Sequence, residues 1–301
     1  MQPWQANFLQ HNTLDSSYLH QAQRWFDPLL RTVSNSSATA ATPFILGING
    51  AQGSGKSTLA DYFYHLLKAR TGLSVAVLSL DDFYYSKRHR QQLGVRVHPL
   101  LATRGVPGTH DVSLALKTID QLCTGSGRVQ IPRFDKSRDD LCPQSQLKST
   151  IAPVNIIILE GWCLGAKPQD AAALAHPINR LERELDTTGA WRQYVNRALA
   201  GLYQELFKRI DCWIMLRAPS FEQVFEWRLE QELKLVKSTL KQNQEKSSAS
   251  MDSEEIATFI LHFQRITDSL LRDLPNKVDH LFQLNAQRTI IDYQERPTNH
   301  Q

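Results

Sequence analysis

Short apolar runs separated by helical patterns organise this chain. Phe44–Ile48, Val75–Leu80, Val154–Leu159, Cys212–Leu216 and Leu281–Leu284 are too short for helices and almost continuously hydrophobic. That pattern predicts strands buried on both faces. Gly127–Phe134 reads as a further short strand. Between the runs, apolar residues recur at helical spacing over Ser57–Lys68, Val112–Leu122, 187–209 and Ser220–Leu240, and a helix can start at Ser253 and run to about Leu274. Strands alternating with helices predict an α/β fold in three layers, a mainly parallel sheet with helices on both faces.

The remaining segments set the organisation. Residues 1–33 carry Trp4, Phe8, Leu9, Tyr18, Leu19, Trp25, Phe26, Leu29 and Leu30 as the apolar positions of one or two helices. Residues 34–42 are small and polar and read as a linker. Residues 1–42 are thus an N-terminal helical extension, and 43–301 the main domain. Residues 86–111 are rich in Arg, His, Gly and Pro and read as loop. Residues 241–253 are polar and read as mobile.

Composition narrows the function classes. A chain of 301 residues, 42% hydrophobic and 21% charged, is an ordinary globular protein with room for one large domain. A formal charge of +4 gives no dense basic face, which argues against nucleic-acid binding and leaves a local positive pocket for anions. Cys123, Cys142, Cys163 and Cys212 form no Cys-x-x-Cys pair, so reduced thiols without metal or redox use are expected. The sequence has no basic-then-apolar leader and no run near the ~18 apolar residues of a membrane span. The expectation is a cytoplasmic monomer or homodimer that contacts neither membrane nor nucleic acid.

The chemistry begins where the first strand ends. Gly50-Ala51-Gln52-Gly53-Ser54-Gly55-Lys56-Ser57 matches Gly-x-x-x-x-Gly-Lys-Ser, with a strand running in and a helix leading out. Its glycines let backbone N–H groups turn inward around phosphate oxygens, and the helix N-terminus favours an anion. Lys56 can reach the β- and γ-phosphates, and Ser57 can ligate magnesium. Gly50, Gln52, Gly53, Ser54, Gly55, Lys56, Ser57 and Thr58 are the expected site for ATP and Mg2+.

Ligands in open α/β sheets sit at the carboxyl ends of strands. Asp81, Asp82 and Glu160 fall there. Asp81 or Asp82 can accept the proton of an attacking hydroxyl as general base. Glu160 can order magnesium through water, and Asp81 joins Ser57 and Glu160 in the candidate metal set. The sequence lacks Leu-Ser-Gly-Gly-Gln, which weighs against transporter ATPases. A rival from another class is an ATP-dependent switch or assembly factor, with the N-terminal helices and a Lys-rich segment at 234–246 as docking surface.

Gly50–Ser57, Ser79-Leu80-Asp81-Asp82-Phe83-Tyr84 and Leu159-Glu160-Gly161-Trp162 together resemble the P-loop small-molecule kinases: phosphoribulokinase, uridine kinase and pantothenate kinase. Thr103-Arg104-Gly105-Val106-Pro107-Gly108-Thr109-His110-Asp111, Ile131-Pro132-Arg133-Phe134-Asp135-Lys136-Ser137 and Glu160–Pro168 narrow this to a resemblance to D-glycerate 3-kinases of the plant and cyanobacterial type, over about residues 44–285. Trp227–Glu232 and Met251–Phe263 are similar too. Arg138–Pro143 is shorter than that family's Gly- and Asp-rich insert.

The resemblance implies a P-loop NTPase fold with a helical lid at about 228–255. It implies γ-phosphoryl transfer from ATP to a small hydroxy acid, D-glycerate first, with pantothenate-, uridine- or pentose-like acceptors as alternatives. Lys56, Asp81, Asp82, Glu160 and Arg228 form the expected catalytic set, with Arg228 closing over the phosphates. Asp82, Tyr84, Arg104, His110, Asp111, Arg133, Lys136 and Trp162 form the expected acceptor site. Arg104, His110, Arg133 and Lys136 supply donors suited to a carboxylate.

Overall fold

The computed structural model describes residues 2–39, 42–230 and 253–296. In chain order the elements are α1 (Pro3–Asn12), α2 (Ser17–Trp25), α3 (Asp27–Thr39), β1 (Phe44–Gly50), α4 (Lys56–Thr71), β2 (Val75–Ser79), α5 (Lys87–Arg96), α6 (Val112–Thr124), β3 (Gly127–Gln130), β4 (Phe134–Asp135), β5 (Asp140–Leu141), β6 (Ser149–Ala152) and β7 (Ile156–Gly161). Then follow α7 (Ala171–Ala175), α8 (Arg180–Leu185), α9 (Ala190–Ala200), α10 (Leu202–Phe207), β8 (Cys212–Arg217), α11 (221–230), α12 (Ser253–Asp273), β9 (His280–Leu284) and β10 (Ile290–Glu295).

The main sheet has the order β10-β9-β8-β1-β7-β2, parallel throughout except for the β9–β10 pair. Every residue of β1 and β7 is buried, which is why these strands read as unbroken apolar runs. Alternate side chains feed two cores. Ile45, Leu78, Ile157 and Leu159 pack under α6, α9 and α12, against Leu122, Val195 and Phe263. Leu46, Ile48, Ile158 and Ile214 pack under α4, against Leu59, Phe63 and Leu66. Phe8, Leu19 and Phe26 of the N-terminal helices join this second core. Each such fully buried side chain contributes about 1.5–3 kcal/mol. The three-layer α/β architecture with its mainly parallel sheet is therefore as expected.

Several local expectations need correction. Residues 34–39 are not linker; they continue α3. The stretch 86–111 contains α5, capped by the Ser86 hydroxyl, which accepts the His89 N–H at 3.3 Å. Its sequence is mostly Arg, His and Gln, so no apolar stripe announces it. The buried guanidinium of Arg90 holds it down by donating to the carbonyls of Tyr85, Ala102 and Asp139. Gly127–Phe134 is not one strand of the main sheet. It splits into β3, paired with β6, and β4, paired with β5, in two small antiparallel sheets. Leu281–Leu284 is not the last strand, because β10 returns antiparallel along the sheet edge. The predicted helix 220–240 is described only to residue 230. The rest of the expected lid and the Lys-rich segment 234–246 lie outside the described residues. No helix of the described residues is long and apolar enough to cross a membrane.

Candidate active site

β1 delivers the phosphate loop from the middle of the sheet, and its neighbours deliver the acids. Glu160 of β7 lies opposite Ile48 of β1 on one side and Ser79 of β2 on the other. Asp81 and Asp82 follow β2 directly in a short 3-10 turn, Leu80–Phe83. Sheet register alone thus brings Glu160 between the loop and the acid pair.

The loop has left-handed glycines that let backbone N–H groups turn inward. Gly53 (φ 79°) and Gly55 (φ 92°) are both left-handed, and Gly55 caps α4. A side chain at Gly53 would also strike Trp227 of α11, whose Cβ would lie 2.7 Å from the added carbon. Arg288, in the turn between β9 and β10, donates from Nε to the Gly53 carbonyl at 2.8 Å. Its guanidinium lies 5.3 Å over the Trp227 ring and pairs with Glu230 at 2.7 Å. Sequence reasoning missed Arg288, and no sequence signal marks it.

Ser57 donates from Oγ to Glu160 Oε1 at 2.9 Å, and Lys56 Nζ lies 3.9 Å from Glu160 Oε2. Glu160 is almost fully buried. Its Oε2, Gln52 Oε1 and Ser54 Oγ are buried without a hydrogen-bond partner. Such orphaned polar atoms are costly unless something else engages them. A nucleotide with a divalent ion fits this set. Among the described residues no three His, Cys, Asp or Glu side chains converge on a ready-made metal cage. Ions that keep several waters and share phosphate ligands need none.

The structure separates the acid pair. Asp81 accepts from Lys136 Nζ at 2.7 Å and from the Tyr84 hydroxyl at 3.0 Å. Burial pushes its carboxyl up, but the Lys136 and Lys56 ammonium groups outweigh this and hold it well below the usual carboxylate range. Asp82 instead accepts the Phe134 N–H at 3.0 Å. Burial pushes its carboxyl up to about 6, despite that hydrogen bond and the charge of Arg133. Asp81 therefore faces the cations of the cleft, while Asp82 pins β4 beside it.

His110 stacks on Tyr84 with ring centroids 4.3 Å apart. Burial pushes its imidazole down to about 4, so it is neutral at physiological pH. Its Nδ1 lies 2.7 Å from the Tyr203 hydroxyl, which accepts the Gly108 N–H at 3.0 Å. The arrangement that satisfies all three groups has the hydroxyl donating to Nδ1, with the ring proton on Nε2. That Nε2 is buried without a hydrogen-bond partner.

Most of the other expected site residues have partners in the frame around the cleft. Arg104 pairs with Asp139 and lies 5.6 Å over the Phe134 ring. Asp111 caps α6 by accepting the Leu114 N–H at 2.9 Å. Trp162 is buried, donates to the Gly105 carbonyl at 3.1 Å and meets Phe263 edge-on. Arg133 is exposed beside Asp82. Arg228 follows Trp227 on α11, with its guanidinium 5.6 Å over the Phe259 ring of α12.

No protein-family model matches the chain. The uncharacterized kinase mug58 of Schizosaccharomyces pombe is 34% identical over 261 residues, 84% of this chain and 90% of that protein. The chloroplastic D-glycerate 3-kinase of Arabidopsis thaliana is 28% identical over 233 residues, 73% of this chain but 46% of that protein. The chain thus spans about half the length of the plant protein. The solved D-glycerate 3-kinase of Cryptococcus neoformans var. grubii superposes with a TM-score of 0.70 at 24% identity, over 94% of this chain and all of that one. With its phosphate loop, flanking carboxylates and relatives in place, the chain belongs to this family of P-loop kinases, as a nucleotide-dependent small-molecule kinase that phosphorylates a hydroxyl.

Proposed function

We propose that the chain transfers the γ-phosphoryl group of ATP to D-glycerate, giving 3-phosphoglycerate. The observation that carries this reading is the convergence of Asp81, Lys136, Tyr84 and His110 beside Lys56. It gives one carboxylate for a hydroxyl proton and several donors for a small carboxylate acceptor. The name of the plant relative supports glycerate as that acceptor.

Lys56 and the loop N–H groups hold the transferring phosphate. Magnesium, held by Ser57 and through water by Glu160, would neutralise phosphate charge. Asp81 is the base, because reach to the hydroxyl matters before pKa. Lys136 covers Asp81 at rest. An acceptor carboxylate offers Lys136 a competing partner, and ATP does the same for Lys56. With both cations engaged elsewhere, the Asp81 carboxylate regains its basicity. Asp82 positions β4 by accepting the Phe134 N–H. Arg228, one residue beyond the Trp227–Gly53 contact, completes the phosphate side when α11 moves over bound ATP.

The test is ADP release, coupled to a second enzyme, over a panel of D-glycerate, L-glycerate, pantothenate, uridine and a pentose, with and without chelator. D-glycerate should give the highest kcat/KM, and chelation should abolish turnover. A better turnover of another acceptor overturns the glycerate reading. Acceptor-independent ATP hydrolysis at the same rate overturns the kinase mechanism itself.

A further inference from the structure

The N-terminal helices have no part in the chemistry above, yet they border it. A cavity of about 590 Å³ opens beside the phosphate loop, touching Gly53, Gly55 and Thr58. Its far side is the turn between α1 and α2 with the start of α2, where Thr13, Leu14 and Ser17 line it. Its third side is the β9–β10 turn, with Gln287 and Arg288. The volume lies within the roughly 300–1,000 Å³ of small-molecule sites.

Both turns are fastened to the phosphate loop or to the helix that leaves it. Arg288 bonds the Gly53 carbonyl. Asn12, at the end of α1, donates from Nδ2 to Asp61 of α4 at 2.7 Å. Left-handed backbone is uncommon outside glycine and gathers at functional sites. Among the described residues only Thr13 (φ 53°), Asp139 (φ 53°) and Arg288 (φ 63°) show it without being glycine. Two of the three line this cavity, one in each turn.

The chemistry of the walls indicates the ligand. Whatever continues from phosphates held at Gly53–Gly55 runs into this space. Leu14, Leu59 and Leu284 offer an apolar floor for a flat ring, and Ser17, Gln21 and Gln287 offer hydroxyl and amide groups for ring edges and sugar hydroxyls. We propose that the turn between α1 and α2 is one wall of the nucleoside subsite for the phosphoryl donor. It rests on the reading that the phosphate loop holds a nucleotide.

The test uses the full chain, with Ser17→Trp to fill the cavity from the N-terminal turn and Gln287→Trp to fill it from the opposite turn. Both positions are exposed, so a melting curve should show the fold intact. Calorimetry with magnesium measures ADP, which needs loop and cavity, and tripolyphosphate, which needs the loop alone. Each variant should weaken ADP by roughly tenfold or more, a loss of about 1.4 kcal/mol, and leave tripolyphosphate within about twofold of the parent. Undiminished ADP affinity in Ser17→Trp, or equal loss of both ligands, overturns the N-terminal wall. A parent chain that binds neither ligand overturns the nucleotide reading beneath it as well.

Discussion

The two sides of the cleft are built by different means. The proposed phosphate side is backbone-built: Gly50–Thr58 is one continuous segment from the end of β1 into the first turn of α4, and its groups are N–H dipoles, one lysine and the hydroxyls of Ser54, Ser57 and Thr58. The acceptor side is built from side chains: Asp81 and Tyr84 follow β2, His110 precedes α6, Lys136 follows β4, and Tyr203 reaches in from α10. A contiguous segment keeps its geometry by its own backbone conformation and by sheet register. A site gathered from distant segments depends on every buried contact that holds them together, and so can change its ligand by small substitutions.

Breaking the phosphate side should cost most. Lys56→Ala should reduce kcat/KM by about 10³-fold or more, since a preorganised charge on the transferring group is lost. A melting curve close to that of the parent would show that the loss is chemical. A folded and fully active Lys56→Ala chain would falsify the mechanism.

The acceptor side should divide more finely. Asp81→Asn should lower kcat by about 10²–10⁴-fold, and Asp82→Asn by much less, because the new amide still accepts the Phe134 N–H. Equal losses from both would mean that the pair acts as one unit. His110→Ala should raise the acceptor KM by roughly tenfold through one lost hydrogen bond and leave the nucleotide KM unchanged. Trp162→Phe should lower stability by about 2 kcal/mol, as the Gly105 carbonyl loses its donor, with acceptor specificity unaltered. A changed acceptor preference in that variant would put Trp162 in the pocket after all.

The smallest effect is in pH dependence. Asp82 has its folded pKa raised from 3.8 to about 6, so the folded state holds the extra proton between those values. Its contribution therefore falls as pH rises through about 4 to 6. His110 has its folded pKa lowered from 6.5 to about 4, so its contribution rises with pH over an overlapping window. The two slopes oppose each other in the parent. Melting curves of Asp82→Asn should steepen upward with pH across 4 to 6, and those of His110→Gln should tilt the other way. Parallel curves for all three chains would refute both assignments.

Much of this molecule was legible in its order of residues. β1, β2, β7, β8 and β9 announce themselves because most of their positions are buried and most of those are apolar. β10 escaped because only Ile290 of it is buried, so it carries no apolar run. α5 escaped because the one large side chain it buries is an arginine, held by the carbonyls of Tyr85, Ala102 and Asp139 and not by an apolar stripe. The phosphate loop was legible for the same reason that β1 was: its chemistry is local.

The amino-acid sequence by itself determined the α/β alternation, the glycine-rich loop and the acids at the ends of β2 and β7, since each follows from local pattern and strand-end position. Only the tertiary structure decided that Asp81 meets Lys136 while Asp82 meets a backbone N–H. It also decided that Trp162 bonds the Gly105 carbonyl and packs on Phe263, and that Arg288 and the α1–α2 turn border the phosphate loop. The physical reason is the same in every case. Burial, partner and charge environment are set by residues tens to hundreds of positions away, and no local pattern encodes them.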